Sequence, residues 1–199
     1  MARRAVAVVC NDCVPSRVER RAGGAMTDDG VWMPLTQREE DGVWERLFAE
    51  LHFPMGSRAG KEQTPSLTYA IGYVFEEDIT VRDALEDDLD QKTLAALRRC
   101  ISQDQRLYAL DWQHQSYWFY PHRFSDASSW AAWKVPVLPD GDFYVFLAED
   151  FSFCLFSDCI NFTICVFGQT LLDAFAHDRP ILLEHVVRVN GELPNRQEI

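Results

Sequence analysis

The sequence predicts an α+β fold, a single domain in which a largely antiparallel β-sheet packs against two to four helices. Three observations carry this. Apolar residues at helical spacing lie mostly in the first half, around 37–52 and 80–101. From 106 to 168, aromatic and β-branched segments succeed one another through short turns, too closely for the crossover helices of a parallel sheet. No repeat or linker divides 27–190, and 199 residues suit one core better than two.

Residues 1–26 stand apart. They hold five arginines against Asp12 and Glu19, no aromatic residue and the pair Gly23-Gly24, and read as a disordered tail or upstream coding, with Met26 a natural start. Cys10-x-x-Cys13 lies in this stretch, but a lone pair without further Cys or His is not a zinc pattern. The first helix is predicted over 37–52. Thr36 and Glu39 have capping-box spacing, Val43, Trp44, Leu47, Phe48 and Leu51 form one apolar stripe, and Pro54 lies past the end. A loop follows over 54–65. From Ser66 the period becomes two, with Leu67, Tyr69, Ile71 and Tyr73 on one face of a strand.

Thr80 with Asp83 is read as the start of the next helical region, which Glu86, Asp87, Asp88 and Asp90 are expected to divide in two, Asp90 capping the second part. Strands are predicted at 106–112, 116–121, 134–138, 143–148, 153–157 and 162–167, with Asp140-Gly141 as a tight turn joining two of them. A helix over 169–175 stops before Pro180, 181–189 is read as strand, and 191–199 as a frayed end.

The formal charge is −12. A surface this acidic disfavours nucleic acid and favours basic partners. No apolar run reaches the ~20 residues of a membrane span, and no secretory signal precedes the domain, so a cytoplasmic location with reduced, buried cysteines is expected. No nucleotide-binding, phosphate-loop, nucleophile-elbow or zincin signature is present.

The candidate chemistry rests on Asp111 and His114. A carboxylate that meets an imidazole fixes its tautomer and makes an oriented base, here one that would have to activate water, since no partnered nucleophile is visible. Read structurally, Asp111 caps the turn between two strands and His114 is a half-exposed turn residue. A metal set would need His114 and His122 to converge with Asp142, and no metal or other cofactor is expected. Asp140 and Asp142 flank Gly141 as turn residues. Trp112, Tyr117, Trp118, Trp130 and Trp133, with His122, Asp140 and Asp142, make a candidate ligand or partner surface, whereas the plainer reading places the aromatic rings in the core.

Several of these segments together resemble a bacterial family, domain of unknown function 2716. They are Pro65 to Tyr69; Ala109 to His114 with Tyr117 and Pro121; Pro139 to Asp142 followed by Tyr144 to Leu147; and Thr163 to Gly168 before Leu171 and Leu172. The resemblance spans roughly 30–190 and implies a single bacterial domain without an activity to carry over. The family pattern leads us to expect a Gly-His-Pro-Trp-Glu-like segment between the last two strands. Here that stretch is Ser157 to Asn161, so a site built on that histidine and glutamate would be missing.

The functional expectation is accordingly a non-catalytic, acidic protein-binding module, immunity- or antitoxin-like, with a basic protein as partner. The alternative is a small hydrolase or small-ligand binding protein that uses Asp111 and His114 in an aromatic-lined groove.

Overall fold

The computed structural model describes residues 30–51, 63–124 and 133–194. Within them eight strands form one antiparallel sheet, accompanied by three α-helices, an α+β arrangement. The strands are β1 (Trp32–Pro34), β2 (Ser66–Ala70), β3 (Leu107–Asp111), β4 (Tyr117–Phe119), β5 (Tyr144–Ala148), β6 (Cys154–Asp158), β7 (Thr163–Phe167) and β8 (Val186–Val189), in the order β1-β4-β3-β5-β6-β7-β2-β8. The helices are α1 (Gln37–Leu51), α2 (Ile79–Cys100) and α3 (Gln169–His177).

Helix α1 begins at the capping box its sequence announces. The Thr36 backbone N–H donates to Glu39 Oε2 at 2.8 Å and Glu39 N–H returns to Thr36 Oγ1 at 3.4 Å. Val43, Trp44 and Leu47 then pack on one face of the sheet against Leu110, Trp118, Val145, Leu147 and Phe156. The opposite face carries Leu107, Ala109, Phe119, Phe146, Leu155 and Ile164 under α2 and α3. β5 and β6, in the middle of the order, are buried along their whole length because both faces are covered.

Several elements differ from expectation. α2 is one helix, because the acidic cluster is bonded sideways instead of capping: Asp88 pairs with Lys92 Nζ at 2.7 Å and accepts Ile181 N–H at 2.7 Å. Its N-cap is Asp78, which accepts Thr80 N–H at 3.0 Å. The strand from Ser66 stops at Ala70, and Gly72–Glu76 form a 3-10 turn. Residues 134–138 are not a strand. Pro136 cannot donate to a ladder, and Val135, Val137 and Leu138 are buried in the core instead, with Ser157 Oγ donating to the Val137 carbonyl at 2.6 Å. Asp140-Gly141 therefore joins no hairpin, and β5 pairs with β3 across a long connection. Of 181–189, Val186–Val189 form a strand and the preceding residues a turn. Cys100, Cys154, Cys159 and Cys165 are buried or half-buried, and no disulfide joins them to one another. The readings of residues 1–26, of Cys10 and Cys13, of Trp130 and of residues 195–199 lie outside the described residues.

Candidate functional site

Asp111 is the last residue of β3 and, by strand alternation, shares the face of Leu107 and Ala109. It is 4% exposed. Its Oδ1 accepts the backbone N–H groups of Gln113 at 3.2 Å and His114 at 3.0 Å, which folds the chain back after the strand. The turn is held from several sides. Ser116 Oγ, fully buried, donates to Glu40 Oε1 at 2.8 Å and accepts Asp111 N–H at 3.3 Å. Gln115 Nε2 donates to the Leu35 carbonyl at 3.0 Å.

The imidazole of His114 comes back onto the same carboxylate, Nδ1 lying 3.0 Å from Asp111 Oδ1. A carboxylate oxygen accepts, so Nδ1 carries the proton and Nε2 keeps the lone pair. The ring is about half exposed, at 53%. Asp111 thus caps the turn, and the same carboxylate meets the imidazole.

A second carboxylate completes the cluster. Asp142, 3% exposed, precedes β5, whose pairing with β3 sets Asp111 opposite Tyr144. Asp142 Oδ2 accepts the Gln113 N–H at 2.9 Å, sharing it with Asp111, and lies 3.6 Å from His114 Nδ1. Asp142 Oδ1 accepts Phe143 N–H at 2.7 Å. Burial, followed by the hydrogen bond to Asp111 and the charge of Asp111, pushes the Asp142 carboxyl up to about 7, against the pull of the Phe143 and Gln113 N–H groups. Asp111, His114 and Asp142 each offer a ligand atom, all within 4.8 Å of one another.

The other predicted residues lie elsewhere. His122 Nε2 donates to the Ile101 carbonyl at 3.0 Å and does not join the cluster, so the set His114, His122 and Asp142 is not assembled. Asp140 accepts the Tyr144 hydroxyl at 2.8 Å, and burial together with Asp140 holds that phenol above its ordinary range. Trp118 and Trp133 are 5% and 2% exposed, and neither can anchor a partner. Trp133 packs among Trp32, Phe119, Phe124 and Phe146, while Trp118 lies under the Arg106 guanidinium with its Nε1–H on Glu39. Trp112 is half-buried, edge-on to Trp44 and Phe48, and Tyr117 is half-buried against Trp32.

Sequence reasoning read Asp142 foremost as a turn residue, and otherwise as part of the candidate surface or of a metal set with His114 and His122, and did not bring it beside Asp111. The signal available was Asp142 at the mouth of a strand, but only the β3–β5 register brings the two carboxyls together. Residues 157–161 lie at the same end of the sheet, with Ser157 opposite Tyr144 on β6. There Asp158 closes the turn by accepting Ile160 N–H at 2.8 Å and Asn161 N–H at 3.0 Å. A cavity of about 310 Å³ lined by Cys100, Arg106, Glu149, Asp150 and Phe153 opens at the other end of β3 and β5, roughly 14 Å along the strand from Asp111.

Residues 34–172 match a family described as protein of unknown function (DUF2716). The chain is 32% identical over 158 residues to the uncharacterized protein YxiI of Bacillus subtilis (strain 168), a match covering 77% of this chain and 98% of that protein. No solved structure matches.

Proposed function

The chain belongs to the family described as protein of unknown function (DUF2716), and we propose that it acts on a small polar molecule at the Asp111–His114–Asp142 cluster, as a hydrolase or as a binding protein without turnover. The observation that carries this reading is the 3.0 Å contact between His114 Nδ1 and a buried aspartate, on an imidazole still open to solvent. Asp111 is the positioning residue. It keeps the proton on Nδ1, so that Nε2 presents its lone pair to a ligand or a water. The turn beneath it is tied to α1 through Ser116 and Glu40, which pre-organises the imidazole. The test is ligand-observed NMR with a panel of small polar metabolites, alongside chromogenic ester, amide and phosphoester substrates, using the full chain, His114→Ala and Asp111→Asn. Binding or turnover that depends on both residues supports the reading. A blank panel, or hits unchanged in both variants, sinks it.

The protein-binding reading keeps one specific support. The charge is −12, and the exposed Ile79 and Val81 stand beside Glu76, Glu77 and Asp78 at the start of α2. Its aromatic anchors are weakened by the burial of Trp118 and Trp133. Association with a basic partner through this surface must weaken as salt rises, and salt-independent binding would discard it.

A further inference from the structure

We propose that Asp111, His114 and Asp142 bind one divalent transition-metal ion, with a fourth position left for water. This rests on the cluster being the functional site and names the cofactor that the site would use.

The first argument is metric. A cation about 2.1 Å from each donor requires donor–donor edges of roughly 3.0 Å at right angles and roughly 3.4 Å at the tetrahedral angle. His114 Nδ1 lies 3.0 Å from Asp111 Oδ1 and 3.6 Å from Asp142 Oδ2, and one donor atom of each residue lies within 4.8 Å of the others, so side-chain adjustment can close the three donors around a cation. The second argument is charge. Two carboxylates, each more than nine-tenths buried, face one another, and among the described residues no lysine or arginine pairs with either. Among the described residues the basic group that faces them is a half-exposed imidazole. Such a pair favours a shared proton or a bound cation over two bare charges. The third argument is donor chemistry. Two carboxylate oxygens and one imidazole nitrogen suit zinc or manganese better than magnesium or calcium, whose sites are built from oxygen.

Binding exchanges the proton on Nδ1 for the metal. The imidazole takes a proton on Nε2 from solvent and remains neutral, so in the metal-bound state Nε2 no longer offers its lone pair and the metal-bound water takes over that role. The backbone N–H groups of Gln113, His114 and Phe143 keep the carboxylates oriented, as outer hydrogen bonds do around metal ligands. Three protein ligands with an open position are the pattern of hydrolytic zinc sites, where the metal lowers the pKa of its water. That supplies the nucleophile which the sequence otherwise lacks.

The experiment is calorimetric titration of zinc chloride, and separately manganese chloride, into chelator-stripped full chain carrying Cys10→Ser and Cys13→Ser, so that thiolates of that pair do not hold zinc. In this background, His114→Ala and Asp142→Asn are compared with His122→Ala, whose histidine lies outside the cluster. One ion per chain is expected, tighter for zinc than for manganese. The affinity falls at least about tenfold in the first two variants and stays within about twofold in the third. Long-range nitrogen NMR of the imidazoles should show His114 metallated at Nδ1. Thermal melts check that each variant folds, and Asp142→Asn keeps the side-chain shape should His114→Ala disturb the turn. Absence of binding at millimolar metal, or binding indifferent to His114 and Asp142, overturns the proposal. If metal binding fails while ligand binding or turnover still depends on His114, only the metal is lost and the proposed function stands. If both fail, the cluster is structural.

Discussion

Replacing Asp142 by Asn should change the sign of its effect on stability as pH rises. The wild-type carboxyl titrates at about 7 in the fold instead of its ordinary 3.8. A group with a raised folded pKa binds more protons folded than unfolded between those values, so its contribution is fully favourable below the lower one and declines as pH rises to the upper one. That is opposite to an ion-paired carboxylate. The interval corresponds to a ceiling of ~4 kcal/mol. Against this, asparagine offers one acceptor oxygen where the carboxylate uses two, for Phe143 N–H and Gln113 N–H. Gln113 N–H keeps Asp111 Oδ1 at 3.2 Å, so the loss is about 1 kcal/mol. Below about pH 3.5 the variant should therefore be less stable by about 1 kcal/mol, the two curves should cross near about pH 4.5, and above about pH 8 the variant should be more stable by up to ~3 kcal/mol. Urea denaturation of both proteins in chelator-treated buffer across this range measures the difference directly and cancels the titration of groups common to both. Parallel stability curves, with no crossing, would refute the claim that Asp142 is held protonated by burial beside Asp111.

Three other outcomes follow from the same geometry. Ser116→Ala deprives the buried Glu40 and Asp111 N–H of a shared hydroxyl and should cost about 2 kcal/mol, read as a lower urea midpoint with unchanged slope. Gly168→Ala should cost about 3 kcal/mol or more, because φ is +94° there and a Cβ would lie 2.4 Å from the Ser152 carbonyl oxygen; a loss below about 1 kcal/mol would contradict that packing. Cys154, held well above its ordinary pKa by complete burial, and Cys100, pushed up to about 11 by burial, should resist alkylation at neutral pH in the folded chain and react on unfolding, which peptide mass mapping would show.

Local chemistry made α1, β6, β7 and α3 legible in the sequence. The Thr36–Glu39 box and the Val43–Trp44–Leu47 stripe act within two turns of one helix, and β5 to β7 are successive segments whose alternation and short turns sit side by side. Asp111 and His114 were legible as candidates in one turn, but whether their side chains meet was decided only by the folded turn. Trp133 and the 134–138 segment were not legible, because strand propensity and core filling favour the same apolar residues, and only the tertiary packing chose burial over pairing. The division of α2 failed for a related reason: Lys92 and the Ile181 N–H, which occupy Asp88, come from the next helical turn and from a segment far along the chain.

What the sequence determined alone was the α+β class and most element positions, because each depends on neighbours a few bonds away. What the tertiary structure decided was the site itself. Asp142 meets Asp111 only because β5 pairs with β3 with Tyr144 opposite Asp111, a register set by the burial of whole strands between two helical layers, not by any residue near either carboxylate.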